Sequence, residues 1–88
     1  MASYDLVFRK SVAKDLRRFP QADVRRIMER IRALADDPRP PGCEKLSGLE
    51  RYRVRQGRYR IIYKIEDRRL IVLVVKVGHR RDVYRSSS

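Results

Sequence analysis

Two stretches of this chain concentrate side chains able to do chemistry. RYRVRQGRYR, from Arg51 to Arg60, repeats arginine at 51, 53, 55, 58 and 60 with no acid among them, and VGHRRDVYR, from Val77 to Arg85, adds His79, Arg80, Arg81 and Tyr84. A guanidinium is planar, stays charged near neutral pH and grips phosphate oxygens two at a time. Arg53, Arg55, Arg60 and Arg80 are therefore candidates to surround a phosphate group. His79, the chain's one histidine, has an ordinary pKa of about 6.5 and can exchange a proton near neutrality. The Tyr84 phenol ionises near pH 10 in water, but neighbouring cations favour phenolate and make it a candidate base.

These groups suit attack of an RNA 2′-hydroxyl on its own 3′-phosphate. That reaction needs a base for the hydroxyl, an acid for the departing 5′-oxygen, and fixed positive charge around the pentavalent transition state. Arginine cannot serve as the base, so proton transfer falls to Tyr84 or His79. Each residue also has a plainer reading: a solvated sheet face for the arginines, a turn residue for His79, an anchor for the C-terminal segment for Tyr84.

The elements that position these groups follow from periodicity. Tyr4 to Phe8 reads as a first strand. Ser11 as N-cap, with Val12, Ala13, Leu16 and Phe19 on one side, predicts a helix over roughly 10–19. Pro20 interrupts it and opens a second helix to about Asp37, with Val24, Ile27, Met28, Ile31, Leu34 and Ala35 as its apolar stripe. PRPPGCEKLSG, from Pro38 to Gly48, reads as a crossover loop. Three strands follow, from Leu49 to Gln56, Arg58 to Glu66 and Leu70 to Val77, where Gly78 is expected to end the last. That last strand is apolar on both faces and belongs in the middle of a sheet.

With Gln56 and Gly57 as the hairpin loop, Arg55 faces Arg58 and Arg53 faces Arg60. Alternation then puts Tyr52, Val54, Tyr59, Ile61, Tyr63 and Ile65 on one face, and Arg51, Arg53, Arg55, Arg58, Arg60 and Lys64 on the other. Like charges directly opposite destabilise a sheet, and such a conflict tends to mark a functional site. The expected fold is α+β: two N-terminal helices on one face of a small, mostly antiparallel sheet of about four strands, in the order β-α-α-β-β-β. Residues 1–85 form a single domain, and 86–88 a short disordered tail.

The 88 residues allow one small core. A net charge of +12, from 23 basic against 11 acidic residues, points to a polyanionic partner. Cys43 is the only cysteine, which excludes an internal disulfide, and no Cys and His set has zinc-ligand spacing. No metal or cofactor is expected. LIVLVV, the longest apolar run, is too short to span a bilayer, so a cytoplasmic protein with no membrane partner is expected.

The combination of KLSGLERYRVRQGRYRIIYKI, from Lys45 to Ile65, with the Phe19-Pro20 break and VGHRRDVY resembles the RelE/ParE superfamily of toxin–antitoxin toxins, in particular its RelE-like mRNA interferases. The resemblance covers nearly the whole chain. It implies a ribonuclease that cleaves mRNA on the ribosome and is held inactive by a cognate acidic, RelB-like antitoxin. The family's basic strand residues, the arginine after its last strand and its C-terminal tyrosine match Arg53, Arg55, Arg60, Arg80 and Tyr84. Lys45, Arg51, Arg58, Lys64 and Arg81 are the expected additional RNA contacts. Where the best-known member carries lysines on the second strand, this chain has Arg53 and Arg55. Two other readings stay open: a ParE-like inhibitor of DNA gyrase that cuts nothing, and a non-catalytic nucleic-acid-binding module.

Overall fold

The computed structural model describes residues 3–48 and 50–79. A short strand β1 (Asp5–Phe8) leads into helices α1 (Lys10–Arg17) and α2 (Gln21–Asp36), followed by β2 (Glu44–Lys45), β3 (Tyr52–Gln56), β4 (Tyr59–Glu66) and β5 (Ile71–His79). The strands form one sheet in the order β1-β5-β4-β3-β2. β1 runs parallel to β5 and the other pairings are antiparallel. The α+β architecture is the expected one, with five strands in place of about four. The apolar β5 lies between β1 and β4, with Val72, Val74 and Val77 buried under the helices and Val75 buried on the opposite face.

The additional strand is β2, inside the segment expected to be a crossover loop. Pro38, Pro40 and Pro41 all precede it, so its two residues keep the N–H groups a ladder needs and pair as Glu44 with Arg53 and Lys45 with Tyr52. Helix α1 begins at Lys10, where it was expected, but ends two residues earlier, at Arg17. Its N-cap is Arg9, with no side-chain capping bond, and Ser11 lies in the first turn. Pro20 caps α2 with an extended backbone; its carbonyl accepts the N–H groups of Asp23 and Val24, both at 3.0 Å.

Both helices bury their apolar stripes on one sheet face. Val12 of α1 and Ile27, Ile31 and Leu34 of α2 close over Val54, Ile61, Tyr63, Val72, Val74 and Val77. The Tyr63 hydroxyl donates to the Pro38 carbonyl at 2.7 Å in the buried interior, tying the segment after α2 to β4.

A register shift between Ile62 and Tyr63 interrupts the β4–β5 ladder: Ile62 pairs with Lys76, but Tyr63 pairs with Val74. Val75 is the extra residue of a bulge, and it reverses the alternation of everything after it. Val77 therefore joins Val72 and Val74 on the helix-covered face. The strand also runs through Gly78, which was expected to end it, and places that glycine opposite Arg60.

At the other end of the sheet Arg39 grips Asp67 with two hydrogen bonds of 3.2 and 3.0 Å, and the Tyr4 hydroxyl donates to the same carboxylate at 2.7 Å. Arg39 also lies over the Tyr52 ring, 5.3 Å from its centre. The clamp joins the start of β1, the α2–β2 loop and the β4–β5 turn. Arg39 first, and Tyr4 second, hold the Asp67 carboxyl below the usual carboxylate range. A depressed carboxylate stabilises the fold above its unfolded pKa of about 3.9, and that stability is lost as pH falls through the folded value. Melting temperature is accordingly expected to fall on acidification more steeply in the parent than in Asp67→Asn; equal slopes would show that the clamp contributes nothing.

Candidate functional site

The arginine hairpin is set by its turn. Gln56 pairs with Tyr59, so the loop is Gly57-Arg58, one residue later than expected. Gly57 has φ 58°, whereas Arg58 is not among the positive-φ residues, and glycine at the first loop position meets this need. A Cβ at Gly57 would meet nothing within 4 Å, so any penalty there is conformational. Gly57→Ala is expected to cost about 1–2 kcal/mol in urea denaturation, and Gly57→Asn less, because asparagine tolerates left-handed backbone. Equal stability of glycine and alanine proteins would refute this.

The later turn changes the partners but not the faces. Arg55 lies opposite Arg60, and Arg53 lies opposite Ile62, in place of the expected Arg55–Arg58 and Arg53–Arg60 pairs. Each partner moves by two residues, an even step, so Arg53, Arg55, Arg60 and Lys64 still share the face away from the helices. That face is not purely cationic. Ile62 and Val75 are buried on it, with Leu46 and Leu73 packed against them, and form an apolar floor beside the arginines. Arg60 is only 5% exposed, while the Arg55 side chain is 60% exposed. One like-charge pair therefore sits across the hairpin, half buried and half open.

Sequence reasoning missed Glu44. This acid enters the arginine face from β2 and accepts a hydrogen bond from Arg53 Nη2 at 2.8 Å, with Arg55 Nη2 3.9 Å from its other oxygen. Arg53, and more weakly Arg55 and Arg60, hold the Glu44 carboxyl below its usual range. The signal that could have found it is the Ser47-Gly48 turn dipeptide, which makes a short hairpin partner for β3 out of the residues before it.

The remaining expected residues are dispersed. Arg58 stands exposed in the turn, and Arg51 lies just before β3, half-buried. Lys45 pairs with Tyr52 and so belongs to the helix-side face. His79 pairs with Tyr59, its ring edge-on to that tyrosine at 5.9 Å. Tyr59 in turn packs on Phe19 at 4.6 Å and donates to Asp23 at 2.7 Å. His79 therefore sits across the sheet from Arg53, Arg55 and Arg60. Arg80, Arg81 and Tyr84 lie outside the described residues, as does the tail at 86–88. A cleft of about 390 Å³ lined by Asp23, Arg26, Arg58 and Tyr59 opens beside the turn. Among the described residues, no group of three or more His, Cys, Asp or Glu could hold a metal ion, and no helix is long and apolar enough to cross a membrane.

Residues 6–84 match the family described as the ParE toxin of the type II toxin–antitoxin system parDE. The chain belongs to this toxin family. Toxin RelG of Mycobacterium tuberculosis is 29% identical to this ParE-family toxin over 86 residues, covering 93% of this chain and 97% of RelG. The toxin also resembles the archaeal RelE–RelB complex from Pyrococcus horikoshii, with a TM-score of 0.80 and 31% identity over 89% of this chain and 96% of the other. An Escherichia coli RelE variant in complex with an antitoxin RelB peptide superposes with a TM-score of 0.76 and 26% identity, covering 100% of this chain and 96% of that one. The resemblance read from the sequence is thus borne out at the level of the superfamily: the protein is a RelE/ParE toxin of a toxin–antitoxin system.

Proposed function

We propose that this toxin is a metal-independent endoribonuclease that cleaves mRNA on the ribosome and so arrests translation. The observation that carries the reading is the Arg55–Arg60 pair with Arg53 beside it on one sheet face. Fixed cations so placed suit a phosphate whose charge grows during reaction, because their alignment costs nothing at the moment of bond breaking. The 2′-oxygen attacks the adjacent phosphorus, the bond to the 5′-oxygen breaks, and a 2′,3′-cyclic phosphate and a 5′-hydroxyl result. Arg53, Arg55, Arg60 and Arg80 supply the charge. His79 shares the helix-side face with Tyr59, so the proton-transfer role passes to Tyr84.

The partner expected is an acidic RelB-like antitoxin that neutralises the basic face in the cytoplasm. The complexes of similar toxins with RelB support this reading, as does a net charge of +12. Programmed ribosomes incubated with purified toxin, with mRNA ends mapped, test the proposal; ends bearing a 2′,3′-cyclic phosphate and a 5′-hydroxyl are expected. Intact message together with blocked supercoiling by purified gyrase would replace it with the gyrase-inhibitor reading.

A further inference from the structure

Glu44 occupies the arginine face much as an anionic ligand would. One carboxylate oxygen takes the Arg53 guanidinium at 2.8 Å and the other lies 3.9 Å from that of Arg55, an oxygen for each cation. The match is incomplete, since Arg53 Nε is buried with no hydrogen-bond partner among the described residues. A guanidinium offers five donors, and a phosphate with its tetrahedral oxygens can engage more of them than this carboxylate does. Glu44 is also well placed to yield. Its side chain is 50% exposed, it stands on a two-residue edge strand, and Pro41 and Gly42 precede that strand while Gly48 follows it.

We infer that Glu44 is a built-in counter-anion, holding Arg53 and Arg55 until a phosphodiester displaces it, and so sets how tightly the toxin grips single-stranded RNA. The inference rests on reading this face as one that binds RNA phosphates. Its consequence is selectivity: a polyanion touching one arginine must compete with a tethered carboxylate, whereas a strand seated across the face replaces it with several contacts at once. The carboxylate stays ionised at neutral pH, because its arginine neighbours hold it below the usual range. The competition is therefore present at neutral pH.

The test is binding of a short 2′-O-methyl oligouridine, which cannot be cut, so affinity is read without cleavage. Glu44→Gln keeps an acceptor for Arg53 but removes the charge; Glu44→Thr removes the carboxylate from a residue type that suits an edge strand. Both are expected to bind about two- to fivefold more tightly, the range set by a half-exposed ion pair. The plot of log affinity against log salt should steepen by about 0.7, the value for one further phosphate contact on a single strand. Glu66→Gln makes the same change in net charge at the far end of β4, where Glu66 pairs with Ile71, and should leave the slope unchanged. Melting curves confirm that the variants are folded. Unchanged or weaker binding in both Glu44 variants, or an equal effect of Glu66→Gln, would overturn the inference. Absence of mRNA cleavage by the parent toxin would instead strike the nuclease reading and leave this binding comparison standing.

Discussion

Arg55→Ala is expected, on the proposed nuclease reading, to lower the rate of mRNA cleavage by about 10²–10³-fold, the loss seen when one preorganised charge is withdrawn from a transition state, while its melting temperature stays level or rises. Both halves follow from the geometry. Arg55 is largely exposed and lies opposite Arg60, so alanine removes a cross-strand repulsion and leaves no cavity. Arg60→Ala is expected to lose a comparable amount of activity but also some stability, since Arg60 is buried. Arg60→Lys retains volume and charge but not the planar fork, and separates packing from phosphate recognition. The double Ala variant should lose less than the product of the two single effects, because groups acting on one transition state are not additive. Single-turnover cleavage on programmed ribosomes, read beside thermal melts, checks all four variants. Activity of Arg55→Ala within a few-fold of the parent would remove the hairpin from the catalytic machinery.

Tyr63→Phe destabilises the fold by about 1–3 kcal/mol, because it strands the carbonyl of the buried Pro38 without its donor. In a domain of this size each kcal/mol corresponds to roughly 4–8 °C in melting temperature. Burial raises the Tyr63 phenol above the usual tyrosine range, with Cys43 adding to it. A raised pKa for an acid that folds in its neutral form stabilises the native state below the unfolded pKa of about 10, and that contribution disappears as pH climbs toward the folded value. Stability should therefore fall above about pH 10, and Tyr63→Phe should flatten part of that fall. Tyr4 and Tyr59, also raised, by their bonds to Asp67 and Asp23 first, would account for the remainder. Urea midpoints measured across the alkaline range decide it, and an unchanged midpoint for Tyr63→Phe at neutral pH would show that the hydroxyl bond is unimportant.

The amino-acid order alone was enough to separate the arginine face from the helix-covered one. Side chains alternate with a period of two, and that period is local, so Arg53, Arg55 and Arg60 stay together even though the turn lies one residue later than expected. The helices were legible for the same reason, since Ile27, Ile31 and Leu34 repeat at helical spacing. The interior place of β5 in the sheet was equally visible in the unbroken apolar run from Leu70 to Val75.

Tertiary structure decided what a local period cannot carry. A two-residue edge strand has no period of its own, so Glu44 reaches the arginines only because β3 offers it a ladder. Cross-strand partners depend on where the turn closes, and Gly57 could serve a loop in either position. The bulge at Val75 is one inserted residue with no composition to announce it. Yet it reverses the faces of everything that follows, sending His79 to Tyr59 and setting Gly78, which carries no side chain, beside Arg60. Pairing energies between distant strands choose among such registers, and those energies belong to the folded sheet as a whole.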